Sequence, residues 1–368
     1  MAQRDFYIDR LRVVVTALVL FHHTAITYGA MGGWFWRELQ PSRTIPSFLL
    51  ILFCTTNQAW FMGFFFLLAG SYTPASVNRK GYKQFILDRF IRLGIPILAF
   101  GFFLGPLTAA LVTYARGDGF WPTFIALWHR KQFIIGPLWF AEALLIFSLC
   151  YLLICRTILR HRVGAQSAMQ TRFPIPGWQS WFMAAILVGA ASLTIRQFLP
   201  IGTSLYGYWA MYVALFIIGI LAKPRDWFAQ LSWQQARPWV IIAAVAWPTL
   251  PLAWILSKGR ANFDGGLSWA SFLYAFWEPF IAWGIIAALL LWFRAHVNQA
   301  SAVWEWLGRR AYAVYIIHPP VLVGISLLLH GWVAAALLKF AVVGTLTCIT
   351  TWLLADPLVR LPGVRHVV

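Results

Sequence analysis

The feature that most limits what this chain can become is its succession of apolar runs about as long as a bilayer is thick. A helix needs roughly 20 mostly apolar residues to cross the hydrocarbon core, where an unpaired backbone amide finds no water. Such runs fall at 10–30, 48–72, 92–114, 136–155, 179–196, 206–222, 238–257, 269–293, 311–329 and 333–354, so about ten transmembrane helices are expected. The fold class that follows is all-α, a polytopic integral membrane protein in contact with membrane lipids. Composition agrees: of 368 residues, 61% are hydrophobic and only 11% charged, unlike an ordinary water-soluble domain.

Basic residues set the expected orientation. Taken alternately along those spans, 20 of the 29 Lys and Arg fall on the side of the N-terminus, among them Arg4, Arg79, Arg160, Arg162, Arg172 and Arg225. Eight fall on the other side, including Arg37, Arg130 and Arg196, and Lys339 lies inside the last span. Positive charge gathers in the cytoplasm, so both termini are expected there and a bacterial inner membrane is the expected location. A net charge of +18 therefore reads as topology, and no nucleic-acid partner is expected.

Cys54, Cys150, Cys155 and Cys348 form no CxxC pattern, so neither a disulfide framework nor a metal site is implied. The first helix lacks a small-residue cleavage site and is expected to be retained. Trp34 and Trp36, Trp121 and Trp128, Trp178 and Trp181, and Trp304 and Trp306 sit near span ends and read as interfacial anchors first and binding residues second. With no separating linker, residues 1–368 read as one domain. The longest polar connection is 160–177.

Within the first span, Asp9, Arg12, Thr16, Val19 and His23 share one i, i+3/i+4 stripe, with Arg12 and His23 about 16 Å apart along the axis. Ionisable groups at such depth are costly unless they line a wet cavity or face neighbouring helices. His22 points about 100° away, so His23 is the preferred base. Imidazole suits the removal of a proton from a hydroxyl that attacks an acyl carbonyl.

Other polar residues carry two readings each. Asn57 bonds either across helices or into the site, while Gly70 and Ser71 permit close helix approach, and packing alone accounts for them. Arg89 and Arg92 are positive-inside charges or a paired clamp for phosphate. Glu142, a turn inside the fourth span after Trp139, orients His23, binds an acceptor hydroxyl or packs against a buried polar group. His318 precedes Pro319 and Pro320, which break the backbone ladder and free carbonyls; it supports catalysis or makes a helix contact. Asp356 and Arg360 are i, i+4 partners.

These segments together resemble the membrane acyltransferase 3 family. Arg12 and His23 with ten residues between them, preceded by Asp9 and Leu11, resemble its opening signature. FFFLLAGSYT resembles its FF-x-x-SG segment, with Ala69 where serine is usual, and DRFIRLGIP its paired arginines. LWFAEALL, AYAVYIIHPP and ADPLVR resemble three further segments, all in order along the chain. The resemblance implies a stand-alone ten-helix acyltransferase domain. It takes an acyl group, acetyl first among them, from cytoplasmic acyl-CoA, a co-substrate and not a tightly bound cofactor, to a hydroxyl of a glycan or glycoconjugate acceptor. It also implies that His23 and Arg12 are essential, with Arg89 and Arg92 next; the residues themselves add Asp9 and Glu142 as catalytic candidates, Arg89 and Arg92 on the donor, and Asn57, Ser71, Trp139 and His318 in support. The alternative from another class is a proton-coupled transporter or flippase using His23, Glu142 and His318 as a relay.

Overall fold

In the computed structural model, residues 6–157, 173–201 and 205–367 are described. Arg4, Arg160, Arg162 and Arg172, and most of the 160–177 connection, lie outside them. The described chain is all-α. Its helices are α1 (Phe6–Thr27), α2 (Ile45–Arg89), α3 (Ile95–Ala99), α4 (Gly105–Ala115), α5 (Phe120–His129), α6 (Trp139–Thr157) and α7 (Trp178–Phe198). There follow α8 (Trp209–Ala222), α9 (Trp227–Gln230), α10 (Trp233–Ala246), α11 (Thr249–Leu256), α12 (Trp269–His296), α13 (Ala302–Leu328) and α14 (Ala336–Arg360). Among the described residues the one β-contact is an isolated bridge between Tyr28 and Leu39.

Eight helical runs are long and apolar enough to cross a membrane. One of them, Ile45–Ala115, is 71 residues long and holds both the second and third expected spans. Its backbone leaves helical geometry at Gly81, with φ 73° and ψ 166°, a left-handed conformation that glycine adopts without a Cβ clash. The sixth expected span lies on a shorter apolar helix, Tyr206–Ala222. The seventh is divided between α10 and α11 by a turn at Trp247 and Pro248. Phe198, Leu328 and Leu267 are 80%, 85% and 90% exposed, an arrangement that water would penalise and lipid tails satisfy. The protein is a multi-pass membrane protein.

The chain gathers into two compact units, each built from separated segments. The first takes Met1–Ile8, Gln58–Gly81 and Cys150–Gln299. Here glycines set how near two backbones come: a Cβ on Gly70 would fall on the Phe216 carbonyl, and one on Gly219 would fall on the Leu67 carbonyl. Without a hydrophobic drive between helices in lipid, close packing of this kind supplies much of their association. Arg196, counted in the sequence as a loop charge, is instead fully buried in this unit and ion-paired with Glu278, which is 2% exposed. The Tyr208 and Tyr274 rings lie 5.3 and 5.0 Å from its guanidinium.

The second unit takes Asp9–Asn57, Tyr82–Leu149 and Ala300–Val368. Val13 and Leu20 of α1, Ala313 and Val314 of α13, and Trp352 and Ala355 of α14 form its central apolar cluster. At one end of the cluster the expected Asp356–Arg360 pair is present at 2.5 Å, and Arg310 Nε donates to the same carboxylate at 2.6 Å. Between α1 and α2, residues 28–44 form a strap outside the long helices. It begins at Gly29, whose φ of 118° turns the chain back, and the Gly29 carbonyl accepts from Ser47 Oγ at 2.6 Å.

A Gly70→Leu change should lower the thermal stability of the detergent-solubilised protein by an amount typical of overpacking, about 1–3 kcal/mol. Fluorescence-detected size-exclusion after a heat step measures it; a variant as stable as the parent would contradict the close α2–α8 crossing.

Candidate active site

Two prolines create the candidate site by what they lack. Pro319 has no N–H to give the carbonyl of Tyr315 four residues earlier, so that oxygen loses its helical partner. His318 Nδ1 lies 2.7 Å from it and takes the vacancy. A carbonyl only accepts, so Nδ1 must carry the hydrogen, and in a neutral ring Nε2 then presents a lone pair. That Nε2 lies 3.1 Å from Nδ1 of His23. The hydrogen-bond network thus assigns Nδ1–H to His23 as well and leaves His23 Nε2 as the bare nitrogen. His318 is 0% exposed, whereas His23 keeps part of its surface open, so the ring with the free lone pair is the accessible one. The freed carbonyls expected from the double proline are present, and one of them holds the tautomer of a histidine.

The same device recurs at Pro96. It removes the α-helical donor for the Arg92 carbonyl, within a π-helical turn over Phe90–Gly94. The Tyr312 hydroxyl donates to that carbonyl at 2.7 Å. Between these points the Tyr315 hydroxyl donates to the carbonyl of Pro137, in a buried turn just before α6. Tyr312, Tyr315 and His318 stand three residues apart on one face of α13 and tie it to three different segments. Neither tyrosine stands out as a site residue in the sequence, although the Y-x-x-Y-x-x-H spacing marks one face.

The other anticipated residues divide. Arg12 stays by Asp9 at 3.5 Å and donates to the Gly308 carbonyl at 3.2 Å, a helix length away from His23. Gly308 and Tyr312 are one turn apart on α13, so Arg12 stands with Arg92 at the basic end of the helix. Arg89 lies over the Phe85 ring at 4.7 Å, and Arg92 is exposed. Glu142 is half-buried in the first turn of α6 and makes no hydrogen bond or ion pair among the described residues; the group that orients His23 is His318. Trp139 opens α6 next to Phe140, whose ring meets Tyr315 edge-on at 6.0 Å. Asn57 is buried, and its Nδ2 has no partner among the described residues. Ser71 belongs to the first unit, where its hydroxyl donates to Leu68 at 2.7 Å beside the Gly219 crossing, so packing accounts for it.

Of the adjacent histidines, His22 stands edge-on to His23 at 5.7 Å, and its carbonyl accepts from Cys54 Sγ at 3.5 Å. Trp34, taken from sequence as an interfacial anchor, stacks on His23 with centroids 4.0 Å apart and planes 14° from parallel. Loop position and residue type alone favoured the anchor; only the fold-back of the strap puts this indole on the imidazole.

The sequence profile described as an acyltransferase domain, acyltransferase 3, matches residues 5–356, nearly the whole chain. The chain belongs to the acyltransferase 3 family. No curated protein and no solved structure matches it. It is a membrane acyltransferase, and the histidine pair offers this family member an oriented imidazole with an open nitrogen.

Replacing Pro319 with Ala restores an N–H opposite the Tyr315 carbonyl. In histidine-15N spectra of the solubilised protein, His318 is expected to lose its fixed Nδ1–H signature and populate both tautomers. A spectrum identical to the parent would break the link between the proline and the tautomer.

Proposed function

We propose that this acyltransferase carries out O-acyl transfer, with an acetyl group from cytoplasmic acetyl-CoA passing to a hydroxyl of a glycan or glycoconjugate. The observation that carries the reading is the His23–His318 pair. A hydroxyl held at His23 Nε2 loses its proton there as its oxygen adds to the thioester carbonyl. The tetrahedral intermediate then collapses, the C–S bond breaks, and the leaving sulfur takes the proton back from Nε2. The products are an O-ester and a free thiol. While His23 is protonated, its Nδ1–H points at the lone pair of neutral His318, which spreads the charge without accepting a proton from water. That is the task a buried carboxylate performs in a serine-hydrolase triad.

Donor phosphates fit the basic end of α13. Arg92 and Arg89 supply planar forks for phosphate oxygens, and Arg12 joins them one turn away. Arg12 is accordingly assigned to the donor and not to the proton transfer. Tyr312 and His318 are six residues apart, about 9 Å along the helix, so an extended acyl arm runs from the arginines to the imidazole beside a rigid edge.

Radiolabelled acetyl-CoA supplied to purified protein with envelope glycan extracts tests this. His23→Ala should lose about 100-fold or more of the transfer rate while remaining folded. Arg92→Ala should raise the donor KM several-fold with less effect on kcat, and Ser71→Ala should change neither. An active His23→Ala enzyme would remove the base. Failure to transfer label in any extract, together with proton-coupled uptake in vesicles, would replace the reading with a carrier. Initial rates separate direct transfer, which gives ternary-complex patterns, from an acyl-histidine intermediate, which gives ping-pong patterns. Mass spectrometry of envelope glycans from cells with and without the protein identifies the acceptor by a missing acyl increment.

A further inference from the structure

Trp34 has no part in the mechanism above, yet it makes the tightest ring contact of the histidine pair. Its indole lies 4.0 Å from the His23 centroid at 14° and 5.8 Å from that of His318 at 8°, so it stands parallel to both rings. The two imidazoles, joined by their hydrogen bond, have planes 15° from parallel. Trp34 therefore roofs one face of the pair and leaves the edge of the His23 ring for the substrate.

The strap that carries it is fastened on both sides. Glu38 and Leu39 amides donate to the Thr27 carbonyl at 2.9 and 3.1 Å, and Lys339 of α14 pairs with Glu38, both side chains being under 10% exposed. His330 Nδ1 lies 3.5 Å from the same carboxylate. A loop needing only an interfacial anchor has no reason for a buried ion pair.

We infer that Trp34 is a positioning residue whose π face stabilises the imidazolium form of His23 and holds that ring in line with His318. The inference rests on His23 acting as the base. The negative face of an indole attracts a cation stacked on it, and the attraction grows where water is excluded. The titratable groups facing His23 are His22 on its own helix and His318 from α13; neither is a carboxylate. His318 meets the charged ring at its edge, through the lone pair that accepts Nδ1–H, and Trp34 is the group stacked on its face that favours the charge appearing during proton transfer.

The sign of the effect separates this role from mere packing. A general base works unprotonated, so the rate rises with pH through the His23 midpoint. Removing a group that favours the protonated ring moves the acid limb to lower pH and lowers the plateau, because the imidazolium in the transition state loses its support. Trp34→Leu should show both, with the limb displaced by about 0.5–1.5 pH units and the donor KM little changed. Trp34→Phe keeps a π face and should recover most of the displacement.

Histidine-15N titration of the solubilised protein reads the same midpoint without any turnover. A His23 midpoint that moves down in Trp34→Leu and returns toward the parent in Trp34→Phe supports the role. Equal midpoints in all three proteins, or a lowered plateau with an unmoved acid limb, overturn it even if His23→Ala is inactive. A shifted midpoint in a protein that transfers no acyl group would keep the stacking role and reject the acyl-transfer reading.

Discussion

The site depends on one carbonyl. Tyr315 lies in a membrane helix, where an unpaired backbone oxygen costs several kcal/mol because no water replaces the missing amide. Pro319 guarantees that the helix itself cannot supply that amide. His318 supplies it from its side chain, and the direction of that single bond propagates outward: Nδ1–H on His318, a lone pair on its Nε2, Nδ1–H on His23, and an open nitrogen at the accessible end. A proline that would count as a defect in a soluble helix thereby fixes the protonation pattern of a residue on another helix.

Much of this was legible, and the limits are physical. Apolar runs reported the helices because lipid demands them, and the i, i+4 spacing reported Asp356 with Arg360 because that contact is local. Arg310, the second partner of Asp356, comes from 46 residues away and left no local trace. His23 could be chosen over His22 by helix face alone. Its partner could not be chosen, since 295 residues separate it from His318 and a carboxylate is the commoner companion of a histidine. Glu142 was the natural candidate on that ground, but its position in the first turn of α6 leaves it unpaired among the described residues. The stacking of Trp34 left no local trace for a different reason: its residue type and place after a span match an anchor, and the strap's fold depends on Glu38 meeting Lys339 from the far end of the chain.

The buried charges follow a common logic. Arg196 donates from Nε to the Gly207 carbonyl while pairing with Glu278, and Lys339 pairs with Glu38 while facing the His330 carbonyl at 3.4 Å. Arg196 and Glu278 both lie on long helices and Lys339 on another, and each cation also faces a carbonyl of the chain outside them. Ion pairs removed from water rarely add much net stability against an apolar replacement. Their use here is geometric, because buried non-helical chain needs fixed polar partners for backbone groups that a helix pairs within itself.

Helix α13 turns these separate bonds into one ruler. Gly308, Tyr312, Tyr315 and His318 bind Arg12, the Arg92 carbonyl, the Pro137 carbonyl and His23 in that order along one face. Sliding α13 by a single residue would move each group by 1.5 Å and turn it through about 100°, which no hydrogen bond near 3 Å survives. The bonds therefore hold together or fail together, and the separation between the arginine end and the imidazole is set by helix geometry. Three of the four partners on the other side are reached through backbone carbonyls or the backbone of α13 itself, so the spacing depends on where those chains run more than on their side chains. The proposed reaction, in which a thioester carbonyl is placed beside a base while the donor is gripped a fixed distance away, needs that kind of rigidity.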